Sequence, residues 1–298
     1  MKKLPIIRYR HIWFLLSGIL VLASVVSLAM FELKQGIDFT GGSLLEVQFT
    51  DGKAPSVGAA TAVISTAGYN DAVIQGVGTN GLIVRLPTID EAKHQTLLKT
   101  MRDKLGALDE LRFDSIGPTI GAELRSKAVM SLIFVLVGIA TYVAFAFRKV
   151  SYPVASWKYG LVTLIAALFH DVLLPLGMFA FLGRFYGVEI NSGFVAAILT
   201  VLGFSVHDTI VVFDRIRENL LKLGGNFEDV VEQSVNETLA RSINTSLAAL
   251  FPLLAIFFFG GVSLRYFALT LFIGLAAGTY SSIFLAAPLL VVMQKKRA

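Results

Sequence analysis

The run Leu199-Thr-Val-Leu-Gly-Phe-Ser-Val-His-Asp-Thr-Ile-Val-Val-Phe-Asp-Arg-Ile-Arg-Glu-Asn219 decides how the whole chain is read. It begins as an apolar helix, carries His207 and Asp208 inside it, and runs into the charged cluster Asp214, Arg215, Arg217 and Glu218. An aspartate at the centre of a membrane-spanning helix costs about 2.5 to 3.5 kcal/mol on insertion scales, so such a residue normally has a partner and a task. The surrounding chain supports a membrane setting. Of 298 residues 55% are hydrophobic and 16% charged, and the mean hydropathy is +0.71. The apolar residues come in long runs, the mark of a polytopic membrane protein. With no cysteine, a disulfide framework, a thiolate metal site and a cysteine nucleophile are all excluded. The net charge of +5 sits beside apolar runs, where membrane topology explains it better than a nucleic-acid partner does.

Six runs approach the length of about 20 residues that a spanning helix needs: Ile12 to Met30, Ala128 to Phe147, Tyr159 to Leu182, Ser192 to Phe213, Ile243 to Phe259 and Tyr266 to Met293. The fifth is short and extends backwards through Arg241. Basic residues assign the sides. Lys2, Lys3, Arg8, Arg10, Arg148, Lys149, Lys158, Arg215, Arg217, Lys222, Arg241, Lys295, Lys296 and Arg297 fall on one side, against Arg184 and Arg265 in the short loops opposite. The positive-inside rule then places both termini in the cytoplasm. The first run also has small residues, Ser27 and Ala29, spaced like a signal cleavage site, but its 19 apolar residues exceed the usual length of a signal-peptide core, about 7 to 15.

Residues 31–127, between the first and second spans, form a small polar domain on the far side of the membrane. Ser43-Leu-Leu-Glu-Val-Gln-Phe49 alternates with the period of a half-buried strand, with Glu46 and Gln48 on the polar face. Pro55 and Ser56 open a helix that ends at Gly68. Strands over Ala72 to Val77 and Leu82 to Leu86 flank the turn Gly78-Thr-Asn-Gly81. Thr88 and Glu91 have capping-box spacing ahead of a helix with Leu97, Leu98, Met101 and Leu105 on one face, and Leu111 to Ile116 supplies a last strand. The expected order is βαββαβ, a ferredoxin-like α+β domain. His94 is expected as a solvated helix residue. The predicted fold is therefore an α-helical polytopic membrane protein with six transmembrane helices and one extracytoplasmic ferredoxin-like domain. Its parts are 1–30, 31–127 and 128–298.

Ahead of the domain stands Gly36-Ile-Asp-Phe-Thr-Gly-Gly42, with Asp38, Phe39, Thr40 and Gly41 inside it. Its glycines and aspartate suit a tight turn where the first span leaves the membrane. Together with Asp208-Thr-Ile-Val-Val-Phe-Asp-Arg-Ile-Arg-Glu-Asn219 and Arg241-Ser-Ile-Asn-Thr-Ser246 it closely resembles the SecF family, subunits of the bacterial SecD–SecF accessory complex of the Sec translocase. The resemblance covers almost the whole chain. It implies a resistance-nodulation-division type transporter in the bacterial inner membrane, with SecD, the translocase channel and unfolded exported polypeptides as partners. It implies use of the proton gradient to assist export, no enzymatic activity and no cofactor. Asp208 and Arg241 match the family's proton-pathway residues.

Residue chemistry is consistent with that expectation. Asp208 lies five residues before Phe213, about 7 to 8 Å of helix rise inside the cytoplasmic boundary, and Arg241 enters the fifth span from the same side. A buried Asp and Arg would stabilise each other, and only the carboxylate can titrate, which gives a proton-linked switch with Arg241 as counter-charge. His170 and Asp171 stand near the middle of the third span, one turn before Pro175. They would relay protons or make a structural hydrogen bond to a neighbouring helix. Paired His-Asp dipeptides also raise a metal site, but adjacent helical residues point about 100° apart and no ligand spacing appears. Two intramembrane aspartates raise an intramembrane aspartyl protease, against which Asp208 sits in Gly203-Phe-Ser-Val-His-Asp208 and not in a Gly-x-Gly-Asp sequence. A non-conducting assembly scaffold is the third reading, suggested by the small-residue pattern Gly274-Leu-Ala-Ala-Gly278. After a break at Gly224-Gly225, Phe227, Val230, Val231, Val235 and Leu239 mark an amphipathic helix at the membrane surface.

Overall fold

A computed structural model describes residues 4–148, 153–222 and 225–294. Of the residues singled out above, Lys2, Lys3, Lys149, Gly224, Lys295, Lys296 and Arg297 lie outside them. In chain order the elements are α1 (Arg10–Phe31), α2 (Ile37–Thr40), β1 (Gly42–Phe49), α3 (Val57–Thr66), β2 (Val73–Val77), β3 (Gly81–Leu86), α4 (Glu91–Leu105), β4 (Leu108–Ile116) and α5 (Pro118–Ala146). Then come α6 (Ser156–Leu164), a π-helical segment π1 (Ile165–Val172), α7 (Leu173–Tyr186), α8 (Ser192–Lys222), α9 (Phe227–Phe259), α10 (Val262–Ser281), a second π-helical segment π2 (Ser282–Ala286) and α11 (Ala287–Val292). The chain divides into two compact units, Gln35–Val129 and a second built from the residues up to Lys34 and those from Met130 onward.

In the Gln35–Val129 unit, all strands pair antiparallel in the order β2-β3-β1-β4. Leu45 and Val47 on β1 point into a core that Ile64 of α3 and Leu97, Leu98 and Met101 of α4 complete. Three expectations change. Helix α4 is capped by Asp90, whose Oδ1 accepts the Lys93 amide at 2.9 Å, because the helix starts at Glu91. Thr88, expected as the cap, instead donates to the Ile116 carbonyl at 3.1 Å. His94 is buried, 3% exposed, stacked on Phe113 with ring centroids 3.7 Å apart, with Glu91 and Glu110 carboxylates 3.3 and 3.2 Å from its two ring nitrogens. Glu46 is also covered, at 8% exposure, and lies opposite Arg112 of β4.

The signature Gly36–Gly42 folds as the short helix α2 followed by two glycines with positive φ, Gly41 at 75° and Gly42 at 126°. A Cβ on Gly41 would stand 2.7 Å from Pro118 Cα, so only glycine lets this turn press against the start of α5.

Among the described residues five helices are long and apolar enough to cross a membrane: Arg10–Phe31, Pro118–Ala146, which begins within the Gln35–Val129 unit, Ser192–Lys222, Phe227–Phe259 and the run Leu264–Val292. The expected span Tyr159 to Leu182 is not among these five; α6, π1 and α7 follow one another along it. Pro175 has no amide proton for the Asp171 carbonyl and its ring crowds that oxygen, and the wider π turn falls immediately ahead of it. The expected amphipathic surface helix and fifth span are one continuous helix, α9, with Phe227, Val230, Val231 and Val235 buried. The pair Gly274 and Gly278 packs inside this chain: a Cβ on Gly274 would overlap the Val201 side chain, and one on Gly278 would lie 2.8 Å from Ser205 Cβ. The N-terminal segment is tied down too. Ile6 and Ile7 are buried, their amides donate to the Glu232 carboxylate at 2.7 and 2.9 Å, and Arg10 pairs with Glu228 at 2.6 Å.

Candidate functional site

The site is built on α8, whose stripe of Ala197, Val201, Ser205, Thr209 and Val212 is buried. Small side chains on this stripe let α10 come close, and they bring hydroxyls rather than bulk to the contact. Asp208, half-buried, faces α9: Ser242 Oγ donates to its Oδ1 at 2.7 Å. Its Oδ2 is buried and has no hydrogen-bond partner among the described residues. Asp208, Ser205, Thr245, Ser246 and Thr279 line a cavity of about 30 Å³ between α8, α9 and α10, where Ser246 and Thr279 hydroxyls meet at 2.5 Å. Phe204, Ala249 and Leu275 complete its wall, and its volume exceeds the roughly 10 to 15 Å³ that one water needs.

Asp171, in π1, is fully buried. Ser205 Oγ donates to its Oδ2, Ser281 Oγ donates to the same oxygen at 2.8 Å, and His170 Nδ1 lies 2.8 Å from its Oδ1. The His170 ring stacks on Tyr280 at 5.4 Å, and its Nε2 is buried without a hydrogen bond among the described residues. An uncompensated buried carboxylate would be costly, and the serines from α8 and α10 supply the donors that make this one tolerable. Below it, Ser282 of π2 donates to the Ser205 carbonyl at 3.2 Å and its hydroxyl meets that of Thr209 at 2.8 Å.

Of the residues singled out from the sequence, the structure brings Asp208 to Ser242 and Asp171 to His170. It does not pair Asp208 with Arg241 in a salt bridge. Arg241 is exposed on α9, with no ion pair to any described residue, and His207 is exposed on α8. No hydrogen bond joins Asp171 to Asp208 among the described residues, so the shared-proton dyad of an aspartyl protease is not formed. No group of three or more His, Cys, Asp or Glu suited to a metal ion occurs among the described residues. The charged end of α8 forms ion pairs: Arg217 with Asp214 at 2.5 Å, and Arg215 with Glu218 at 2.6 Å and with Glu237 of α9 at 2.5 Å. Asn219 donates to Ser234 at 3.0 Å and to Glu237 at 2.9 Å, so the motif from Asp214 to Asn219 fastens α8 to α9.

Residues 95–296 match the family described as protein export membrane protein SecD/SecF, C-terminal, and residues 26–52 match the SecD/SecF GG motif. The protein translocase subunit SecF of Thermobaculum terrenum is 44% identical over 98% of this chain and 95% of its own length, and that of Anaerolinea thermophila 39% identical over 98% and 94%. The chain belongs to the SecF family. Among solved structures it is similar to SecDF, a translocon-associated membrane protein from Thermus thermophilus, with a TM-score of 0.82 and 33% identity. It covers 96% of this chain but only 38% of that one, so this chain corresponds to a minor part of the longer SecDF polypeptide. The super-membrane-facing form of SecDF matches with a TM-score of 0.65. For a SecF family member the first matched region contains Asp171, Asp208 and Arg241, and the second contains Gly36 to Gly42. Ser205 and Ser281 escaped the sequence reading, whereas Ser242 stands in the run Ser242 to Ser246, whose hydroxyl and amide groups suit a hydrogen-bonded path along the fifth span. A serine inside a span ordinarily bonds its own helix, and nothing in a one-dimensional pattern marks one that reaches a carboxylate on another helix.

Proposed function

We propose that this chain is the SecF subunit of a SecD–SecF complex in the bacterial inner membrane that uses the proton-motive force to assist protein export through the Sec translocase. In this reading it has six transmembrane helices, the third formed by α6, π1 and α7, both termini lie in the cytoplasm, and residues 31–127 form an extracytoplasmic ferredoxin-like domain. The remaining parts are 1–30 and 128–298. Asp208 is the protonation switch, Arg241 the counter-charge that acts from α9 or toward the partner subunit, and Asp171, His170 and His207 are accessory members of the path. The chain is not an enzyme and needs no cofactor. The observation that supports this reading is the Asp208 carboxylate, held on one oxygen by Ser242 and beside a cavity to which Ser205, Thr245, Ser246 and Thr279 bring hydroxyls. A carboxylate so placed changes its hydrogen-bond partners when it gains a proton, and spans α8 and α9 meet at it.

The driving force is adequate. One proton crossing 100 mV supplies about 2.3 kcal/mol, enough to bias a two-state rearrangement nearly fifty-fold. The test is export of a secreted protein into membrane vesicles with an imposed proton gradient, comparing wild type, Asp208→Asn and Asp208→Glu. Asp208→Asn keeps size and hydrogen bonding but cannot ionise, and is expected to abolish the gradient-dependent part of export. Full stimulation in that variant would leave a non-conducting scaffold as the better account.

A further inference from the structure

The two carboxylates, Asp171 buried and Asp208 half-buried, have different neighbours but one residue in common. Ser205 donates to Asp171 Oδ2 and also lines the cavity that Asp208 lines. The donors around Asp171 leave its oxygens as acceptors: Ser205 and Ser281 both aim hydroxyls at Oδ2. Asp208 Oδ2, by contrast, is buried and has no donor or acceptor among the described residues, and the roughly 30 Å³ beside it carry the hydroxyls of Ser205, Thr245, Ser246 and Thr279 in a wall otherwise made largely by Phe204, Ala249 and Leu275. Water in such a cavity finds the two to four polar partners it needs, and it completes the unmet hydrogen bond of Asp208.

We infer that Ser205 is the hydroxyl link through which a proton passes between Asp208 and Asp171, by way of water held in the cavity beside both. The step balances. The Asp208 O–H bond breaks and its proton goes to the water, the water gives a proton to Ser205 Oγ, and the proton that Ser205 already shares with Asp171 moves onto Oδ2. Asp208 is left ionised, Asp171 protonated, and water and serine are regenerated as they were. Ser281, the second donor to Oδ2, and Gly278, whose lack of a side chain admits Ser205 at close range, are positioning residues for this transfer. The inference rests on Asp208 as the protonation switch. It adds a second carboxylate and the group that joins them.

The test measures proton flux into liposomes holding this chain with its partner subunit, for wild type, Asp208→Asn, Ser205→Ala and Ser205→Cys. A positioned proton-transfer group contributes about a hundredfold or more, and a replacement water recovers part of that. Ser205→Ala is therefore expected to lose about tenfold in flux, and Ser205→Cys, which keeps a transferable proton in nearly the same volume, to regain most of it. Wild-type flux in Ser205→Ala, with flux lost in Asp208→Asn, overturns the link and leaves the switch standing. Wild-type flux in Asp208→Asn overturns both. A second readout works even where the Ser205 variants fail to assemble: the infrared carboxyl stretch of Asp171, assigned with Asp171→Asn and followed through a titration. It is expected to change its course in Asp208→Asn, and an unaltered course contradicts the link.

Discussion

Asp208 carries a carboxylate into the helix α8, where Ser242 of α9 holds one of its oxygens. The cost of a carboxylate in a span marks it, and Asp171, as residues with a task. That argument names no partner, and the partner expected from charge alone, Arg241, makes no salt bridge with Asp208 in the structure, where Ser242 takes the hydrogen bond. A hydrogen bond to a charged group contributes about 1.5 to 3 kcal/mol. Ser242→Ala is therefore expected to reduce proton-driven export by about tenfold or more while leaving a residue of activity that Asp208→Asn lacks, measured in the same vesicle assay. Glu46 yields a pH prediction. Burial raises its carboxyl above the ordinary Glu range, and nearby Arg112 only partly offsets this. Because the folded form holds the proton more tightly than the unfolded chain, that contribution to stability is present at low pH and lost as pH rises through and above the ordinary Glu range. Glu46→Gln is expected to raise the denaturation midpoint of the sheet unit at neutral pH and to flatten its fall between acid and neutral solution. Periodicity put Glu46 on a polar face and polarity put His94 in solvent. Alternation sets Glu46 opposite Leu45 and Val47 and is silent about what covers that face, whereas His94 lies on the stripe of Leu97, Leu98 and Met101 and its polarity outweighed that position.

At the scale of elements, the long periodic runs were legible and their ends were not. The strands and helices of the small unit follow alternation and stripes closely, as Gly42–Phe49 and Glu91–Leu105 show. The cap of α4 did not follow, since Thr88 and Asp90 both suit that position and only the tertiary bond of Thr88 to Ile116 decides between them. Asp90→Ala is expected to cost about 1 kcal/mol, and Thr88→Ala to leave the α4 amides as protected from exchange as before. The division of the third span into α6, π1 and α7 was foreshadowed by Pro175, but a proline predicts a disturbance, not its form. Gly41 carries a firmer prediction. With φ at 75° and Pro118 Cα 2.7 Å from any added Cβ, Gly41→Ala is expected to destabilise the Gln35–Val129 unit by about 1 to 3 kcal/mol, read as a lowered thermal midpoint.

For the molecule as a whole, hydropathy and basic-residue asymmetry carry most of the architecture: a polar unit interrupting a membrane unit, with spans separated by short loops. What they leave out is the interior of the membrane unit, where π1, π2, α8, α9 and α10 assemble two carboxylates and a hydroxyl-bearing cavity from residues far apart in sequence. Through that interior, in the proposed mechanism, a proton passes by way of Asp208. The measurement that bears on it most directly is proton entry into liposomes containing this chain and its partner subunit, under an imposed gradient. Asp208→Asn is expected to bring entry down to the level of protein-free liposomes, and Asp208→Glu to retain part of it. Entry at the wild-type rate in Asp208→Asn would contradict the proposed mechanism.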